Sequence, residues 1–321
     1  GDLEGYIYGG GSGRGRQEPY GLFLDYEAQV LVLPDGGRVE SDEDGLKFTK
    51  CNGLTILLGA GSNYLNKRDK GWKGPHPHER VTSQLNRAAR KSFEALLKAH
   101  MEDFSALFGR CMLDVGATES AALEQSTAAR LAAYKEGAVD PDFEELLFQY
   151  ARYLMISSSR PGCMPANLQG LWNNKNQPPW RCDYHTDVNI QMNYWFVDRV
   201  NLSECFEPLV EWVHSIREVK RERTQREFGI RGWITKAENG IFGGHSWKYI
   251  KGDGSWVTQN LWDHYEHTLD REYLESRLYP LLKELCEFWI DHLKQMPDGT
   301  LVAPDGHSPE HGPVEDGVSY D

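Results

Sequence analysis

The segment Pro161–Trp195, PGCMPANLQGLWNNKNQPPWRCDYHTDVNIQMNYW, is too polar for an ordinary core segment and too aromatic for an ordinary loop. It holds three tryptophans, two tyrosines, six asparagines and three glutamines. Flat aromatic faces suit the C–H faces of a sugar ring, and amides both donate hydrogen bonds to hydroxyls and accept them. The segment therefore fits two interpretations equally: a sugar site, or a surface loop that leads into the buried start of a helix.

Composition narrows the class of protein. The chain has 321 residues, 40% of them hydrophobic, and a formal net charge of -13. This length allows one large core or two ordinary ones. The acidic balance, without a compensating Lys/Arg cluster, argues against nucleic-acid binding. No apolar run approaches the roughly 18 residues of a membrane span. Six scattered cysteines without a C-x-x-C motif indicate buried small side chains rather than a disulfide framework.

The first 65 or so residues predict β structure. Short strands are expected at Tyr6–Tyr8, Leu22–Tyr26, Ala28–Leu33, Gly45–Lys50 and Leu54–Leu58. The glycine-rich run Gly9–Gly15 lacks the last glycine of a dinucleotide fingerprint, so a strand connection is the better interpretation. Because Gly1 leads almost directly into strand-like sequence, we expect the chain to begin inside a longer protein.

The remainder predicts helices. Apolar residues at helical spacing predict one long helix over His78–Phe108, followed by a short strand at Cys111–Val115. An Asp-Pro pair at Asp140 marks the start of another helix. One face of this helix is predicted to carry Phe143, Leu146, Leu147, Tyr150 and Leu154. Further helices are predicted at Asn189–Val200, Phe206–Arg223, Val257–Leu269 and Arg271–Leu293. Successive helices joined by long polar and aromatic loops fit an α/α toroid with a cleft at one end.

The last segment, Asp298–Asp321, is predicted to be a loop with several acidic residues. Most acids in such a loop are simply solvated. Glu310 could be solvated in the same way, but Pro309 and His311 flank it and would restrict its position more than that of the other acids. It is therefore a candidate general acid.

Metal and cofactor motifs are absent from the sequence. His76 and His78 lie close together, but no H-E-x-x-H motif or Cys/His set accompanies them. No G-x-S-x-G nucleophile elbow occurs. We therefore expect no cofactor and no metal site. Asn201 begins the one glycosylation sequon, which could equally be a helix connection.

Three sequence blocks resemble glycoside hydrolase family 95, the inverting α-L-fucosidases and their α-L-galactosidase relatives. The first runs from Arg152 to Gly162 and continues as PANLQGLWN at 165–173. The second is DYHTDVNIQMNYW at 183–195, and the third is SPEHG at 308–312. Their order and spacing match the family, and weaker similarity covers nearly the whole chain.

The resemblance implies a mostly α fold: the early part of an (α/α)6 toroid, preceded by the end of a β-sandwich domain and a helical linker. Residues 1–75 would belong to the sandwich, 76–120 to the linker with a return strand, and 121–321 to an incomplete catalytic domain.

The resemblance also implies roles for individual residues. Glu310 would be the general acid, and His185 and Asn189 would contact the sugar or the attacking water. Trp256 would stack on the sugar. The general base of the family is an Asp well after the acid, which we expect beyond Asp321.

Asp187 departs from the family pattern H-x-N-x-N. An ionised Asp cannot donate a hydrogen bond, and its charge would tend to raise the pKa of one acid nearby. It is either a tolerated substitution, the interpretation that we favour, or it shares the base role.

The expected function is therefore hydrolysis of terminal α-L-fucose from a fucosylated oligosaccharide or glycan. The alternatives are an α-L-galactosidase and a non-catalytic glycan-binding fragment. We expect the chain to be inactive by itself, and the family leads us to expect a secreted or periplasmic protein. The sequence predicts no oligomeric state.

Overall fold

The computed structural model describes residues 3–4, 23–43, 45–175, 177–247 and 250–318. The strand expected at Tyr6–Tyr8 and the glycine-rich run lie outside these residues. The chain divides into two compact units, and the division falls between residues 104 and 105. The domain boundaries expected at 75/76 and 120/121 stay a prediction.

The first unit contains the predicted β structure. Strands β1 (Leu3–Glu4) and β2 (Phe23–Leu24) pair antiparallel, as do β4 (Arg38–Asp42) and β5 (Gly45–Thr49). The main ribbon joins β3 (Tyr26–Asp35) to β6 (Gly53–Ser62), also antiparallel. The predictions of strands at Ala28–Leu33, Gly45–Lys50 and Leu54–Leu58 are confirmed.

One face of the main ribbon packs against helix α1 (His78–Ala88). Gly59 permits this approach, because a Cβ atom there would lie 3.0 Å from Val81 and 3.2 Å from Leu85. The opposite face leaves Val30, Ile56 and Leu58 exposed. The alternation of the strand sequence therefore carries apolar side chains on both faces, as in a sheet that belongs to a larger layered structure.

The single helix predicted over His78–Phe108 is wrong. The structure has two helices there, α1 and α2 (Phe93–Phe108), interrupted at residues 89–92. The hydroxyl of Ser92 accepts a hydrogen bond from the amide of Ala95 at 3.2 Å, and so starts a new helix where the apolar spacing alone suggested continuity.

The strand predicted at Cys111–Val115 is also wrong, because residues 111–119 form no regular structure. Side chains of helix α5 (Pro141–Ser158) take the place of a ladder partner. Arg152 Nη1 donates to the carbonyl of Cys111 at 2.8 Å, and a Glu145 oxygen accepts from the amide of Val115 at 2.8 Å. Next come two short helices that the sequence pattern did not predict, α3 (Ser120–Leu123) and α4 (Thr127–Lys135).

Helix α5 begins as predicted, because the side chain of Asp140 accepts the amide hydrogen of Phe143 at 3.1 Å. Asp140 also pairs with Arg130 at 2.7 Å, and both side chains are largely buried. Phe143 is buried, but the other residues predicted to lie on the same face of the helix are exposed. The exposed members are Leu146, Leu147, Tyr150 and Leu154.

The later helices agree with the predictions in type but not at every end. They are α6 (Asn189–Tyr194), α7 (Glu207–Phe228), α8 (Gly252–Thr268), α9 (Arg271–Tyr273) and α10 (Tyr279–His292). A π-helical turn, Leu274–Leu278, joins α9 to α10, and a 3-10 turn at Asp198–Val200 replaces the end of the helix predicted over Asn189–Val200. Helices thus dominate the chain from residue 78 to residue 292, which confirms the mostly α expectation at that level.

The core of the second unit lies among α7, α8 and α10. It is built from side chains that are almost fully buried: Leu209, Trp212, Val213, Ile216, Leu261, Leu281 and Phe288. Gly232 lets the loop after α7 lie against α10, since a Cβ atom there would lie 2.1 Å from the carbonyl oxygen of Glu284. Five short strands complete the described structure: β7 (Tyr184–His185), β8 (Glu238–Asn239), β9 (His245–Ser246), β10 (Lys294–Gln295) and β11 (Leu301–Val302). Among the described helices, none has the length and apolar character needed to cross a bilayer.

Candidate active site

A three-stranded ribbon fixes the backbone of the second sequence block, residues 183–195. Strand β7 pairs with β8, with His185 opposite Glu238, and β8 pairs with β9. The amide of Thr186 extends the pairing by donating to the carbonyl of Ala237 at 2.8 Å. The buried side chain of Asn239 donates to the carbonyl of Tyr184 at 3.2 Å. The imidazole of His185 is therefore attached to backbone that strand β8 and its neighbouring residues hold in place.

Buried polar side chains in the same block are part of this scaffold. Gln191 Nε2 donates to the carbonyl of Thr186 at 2.6 Å. The hydroxyl of Tyr194 lies 2.7 Å from Ser159 Oγ and accepts the amide hydrogen of Ala166 at 2.7 Å. Tyr194 thus links the first block of the family pattern to the second. Several amides and aromatics of Pro161–Trp195 therefore have structural roles, as one of the two interpretations of that segment required.

His185 lies between two acidic side chains. Its Nδ1 atom is 3.1 Å from Asp183 Oδ2, and its Nε2 atom is 3.4 Å from Asp187 Oδ1. All three side chains are at most 8% exposed. Burial opposes a charged imidazole, but the hydrogen bond to Asp183 and the charges of Asp183 and Asp187 outweigh it and raise the pKa of His185.

Glu310 approaches the same place from the terminal loop. One donor atom from each of His185, Asp187 and Glu310 lies within 4.8 Å of the other two. Unlike the other two, Glu310 is exposed. A cavity of about 560 Å³ opens beside these groups. Its lining residues are Asp187, Val188, Asn189, Trp256, Ser308, Pro309, Glu310 and His311.

The two carboxyl groups interact with each other. Burial raises the pKa of Asp187, the charge of His185 lowers it, and the charge of Glu310 raises it further, so the net shift is upward. Inverting glycosidases separate their two catalytic carboxyl groups by about 6.5–9.5 Å, which leaves room for a water molecule. The separation of at most 4.8 Å between Asp187 and Glu310 oxygens is shorter than this range.

The structure brings all five predicted site residues together. Asp187, Asn189, Trp256 and Glu310 line the cavity, and His185 contacts Asp187. The exposed side chains of Trp172 and Trp180, two of the three tryptophans of Pro161–Trp195, are not among the residues that line this cavity.

Three residues near the site were missed. Asp183 holds the far side of the His185 ring, and Glu238 adds a negative charge opposite it. The ring of Trp247 lies 6.4 Å from the His185 ring. Asp183 could have been found, because it precedes His185 by two residues and alternating strand positions share a face. Glu238 lies in the two-residue strand β8 and Trp247 follows strand β9, and the sequence there gives no such spacing.

The profile of the Glycosyl hydrolase family 95 catalytic domain matches residues 92–320. "Probable alpha-fucosidase A" of Aspergillus niger is 36% identical over 309 residues, which are 90% of this chain and 39% of the relative. "Alpha-L-fucosidase 2" of Arabidopsis thaliana is 35% identical, over 87% of this chain and 34% of the relative. The chain thus spans between about a third and two fifths of the length of these relatives.

Among solved structures, "Putative kojibiose phosphorylase from human microbiome" superposes with a TM-score of 0.59 at 13% identity. The superposition covers 91% of this chain and 37% of that one. At this identity the likeness concerns the fold alone, and it fits a toroid-type helical fold. The chain itself belongs to glycoside hydrolase family 95.

Proposed function

We propose that the protein containing this chain is an inverting α-L-fucosidase that removes terminal L-fucose from oligosaccharides, with Glu310 as the general acid. The observation that carries the proposal is the meeting of Glu310 with Asp187, Asn189 and Trp256 in one cavity of a family 95 chain. The similarity to proteins named as α-fucosidases supports the choice of sugar.

In this proposal each group of the cavity has its own task. Glu310, on the exposed side of the cavity, protonates the glycosidic oxygen as the bond to the anomeric carbon breaks. Trp256 offers an aromatic face to the sugar ring, and Asn189 can donate to and accept from its hydroxyls. His185, held by Asp183, presents its Nε2 atom toward the acidic pair.

We assign the general base to a carboxylate outside the described residues. Asp187 is too close to Glu310 to act from the opposite face of the sugar. Its burial beside His185 instead suits a role in positioning, which agrees with the interpretation of Asp187 as a tolerated substitution.

The test compares wild type with Glu310→Gln in the intact protein that contains this chain. With a poor leaving group, the variant should lose about 10²- to 10⁴-fold in kcat, the range for general acid catalysis. An activated aryl α-L-fucoside needs less protonation and should lose much less, while fucose binding stays near normal. Glu315→Gln, an exposed glutamate of the same loop, is the matched control and should leave kcat unchanged.

The same assay separates the competing functions. Faster turnover of an aryl α-L-galactoside than of the fucoside would move the assignment to the α-L-galactosidases. Near-normal turnover of Glu310→Gln on both leaving groups would refute the acid role. Fucose binding without any hydrolysis by the intact wild type would favour a glycan-binding protein.

A further inference from the structure

A second property of the cavity follows from the donor atoms that converge there. His185 Nε2 and Asp187 Oδ1 are 3.4 Å apart. Two ligands bound at about 2.1 Å to a tetrahedral ion such as Zn²⁺ are about 3.4 Å apart as well. The buried pair therefore already has the spacing of two ligands on one metal ion, without any rearrangement.

A third ligand is within reach. A carboxylate oxygen of Glu310 lies within 4.8 Å of both other donor atoms. The glutamate is exposed, so its side chain has freedom to turn toward an ion between the three. Three protein ligands with the fourth position open to water or another small ligand is a common arrangement of non-structural zinc sites.

The hydrogen bond between the second ring nitrogen of His185 and a carboxylate is typical of a histidine that binds a metal. The Nδ1 side of His185 faces both oxygens of Asp183, at 3.2 and 3.1 Å. A histidine that ligates a metal commonly donates its other N–H to a carboxylate, which fixes the tautomer and makes the free nitrogen more basic. In this tautomer Nε2 carries the free lone pair, and it is the ring nitrogen that lies 3.4 Å from Asp187.

The charges around the histidine also favour a cation. Asp183, Asp187 and Glu238 place negative charge near His185, and Glu310 adds another beside Asp187, whereas His311 is the one further imidazole among the residues that line the cavity. The side chain of Asp187 is 4% exposed, and its only ion pair in the described part of the chain is the one with His185. A buried carboxylate without a full countercharge is costly, and a divalent cation would supply that charge.

We propose that His185, Asp187 and Glu310 form a site for a divalent transition-metal cation of the Zn²⁺ type. A mixed nitrogen and oxygen ligand set selects such ions over Ca²⁺ and Mg²⁺, which prefer oxygen ligands alone. Because the ion would occupy Glu310, it would block hydrolysis; this consequence rests on the proposed function, whereas the site itself does not.

Metal binding is tested directly on the intact protein after dialysis against EDTA. ZnCl₂ titrated into wild type in a calorimeter should bind at one site per chain, and CoCl₂ should give a visible absorption band of a low-symmetry N/O complex. Asp187→Asn should weaken Zn²⁺ at least about tenfold, since the amide has no negative charge to offer. Glu310→Gln, at an exposed side chain, should weaken binding without a risk to folding.

Two controls exclude a nonspecific effect. Asp198→Asn changes a partly buried His–Asp pair elsewhere, in which His264 Nδ1 lies 2.9 Å from Asp198, and should leave Zn²⁺ affinity unchanged. Glu315→Gln should do the same. Absence of Zn²⁺ binding by wild type, or equal affinities of wild type, Asp187→Asn and Glu310→Gln, would overturn the proposal.

The activity arm keeps the two proposals apart. If both hold, Zn²⁺ inhibits α-L-fucoside hydrolysis, EDTA restores it, and Asp187→Asn resists inhibition. Zn²⁺ binding that depends on Asp187 in a protein without fucosidase activity would support the metal site and refute the proposed function. If the protein hydrolyses the fucoside, binds no Zn²⁺ in the calorimeter and is not inhibited by excess ZnCl₂, the proposed function is supported and the metal site is refuted.

Discussion

The Nδ1 atom of His185 lies 3.1 Å from Oδ2 of Asp183, and both side chains are buried. This contact orients the imidazole, because a ring with one nitrogen committed to a carboxylate cannot flip without losing that hydrogen bond. The orientation of the His185 ring thus depends on Asp183, which is not among the residues that line the cavity.

Replacing Asp183 with Asn tests this dependence. The variant loses a hydrogen bond to a charged group, worth about 1.5–3 kcal/mol, so kcat/KM on an α-L-fucoside should fall roughly 10- to 100-fold. Since Asp183 raises the pKa of His185, that pKa should also fall in an NMR titration of the imidazole. Unchanged kcat/KM together with an unchanged titration would show that Asp183 has no positioning role. Asp198→Asn, in the remote His–Asp pair, is the control.

Asp187→Asn addresses the base role that the sequence left open. Because the Asp187 and Glu310 oxygens are too close for an inverting pair, we expect kcat to stay within about tenfold of wild type, below the 10²- to 10⁴-fold loss of a true base. The charge of Asp187 raises the pKa of His185. Its removal should lower that pKa, so that any limb of the pH–rate profile due to His185 moves to lower pH. A loss of kcat beyond about 10³-fold would instead make Asp187 the base.

Arg152→Met should destabilise the second unit. The guanidinium is fully buried and donates to the carbonyls of Leu107, Phe108 and Cys111 at 3.0, 2.7 and 2.8 Å. Methionine would leave these acceptors at the end of α2 without their donor, and we expect a loss of about 3 kcal/mol in the free energy of unfolding. Urea denaturation followed by circular dichroism measures it.

Arg110→Met is the matched control for that experiment. Arg110 pairs with Glu204 at 2.6 Å, but its side chain is 34% exposed and that of Glu204 is 43% exposed. Partly exposed ion pairs contribute less than about 1 kcal/mol. If both variants lost the same stability, the buried hydrogen bonds of Arg152 would not be the cause.

The stability of the second unit should fall in mild acid because of His214. Burial lowers the pKa of His214 from its ordinary 6.5 to about 4 in the folded chain. Between these pH values the unfolded chain binds a proton that the folded chain does not, so the free energy of unfolding decreases as pH falls from about 6.5 to about 4. The side chain is only partly enclosed, so we expect a contribution of about 1–2 kcal/mol.

His214→Gln removes this proton and should flatten the stability profile across that range. Gln can still reach the carbonyl of Arg277, which lies 2.6 Å from His214 Nε2. Thermal melting at a series of pH values, with the exposed His267→Gln as control, measures the difference. A slope that His214→Gln leaves unchanged would assign the acid sensitivity to other groups.

Periodicity predicted the type of most helices and the strands β3, β5 and β6, because apolar spacing reports which face an element buries. Where the apolar spacing continues from one helix into the next, as it does near Ser92, periodicity could not show the boundary between them. It also suggested that Leu146 and Tyr150 share the environment of Phe143, although only Phe143 is buried. Spacing determines which residues share a face, but not what covers it.

The site was predicted largely through motif resemblance. Physical chemistry alone marked the region of His185 and singled out Glu310, but it gave no means of bringing together residues more than 120 positions apart. The roles of Gln191 and Tyr194 were not predictable either, because an amide or phenol beside a sugar and one inside a scaffold have the same sequence signal. Asp183, Glu238 and Trp247 come near His185 through the pairing of strands β7, β8 and β9. Each of these strands has two residues, which is too short for a sequence pattern to predict.

The ribbon of β7 and β8 bears on the order in which the site can form on the ribosome. Strand β7 is synthesised long before Glu238 and Asn239 emerge to pair with it. The buried amine of Lys220 must also wait for Asn239, to whose Oδ1 atom it donates at 2.5 Å. Among the described residues predicted for the site, Glu310 emerges last. A nascent chain paused between Asn239 and Glu310 would therefore carry the oriented histidine without its acid, so that the cleft is completed from its C-terminal side.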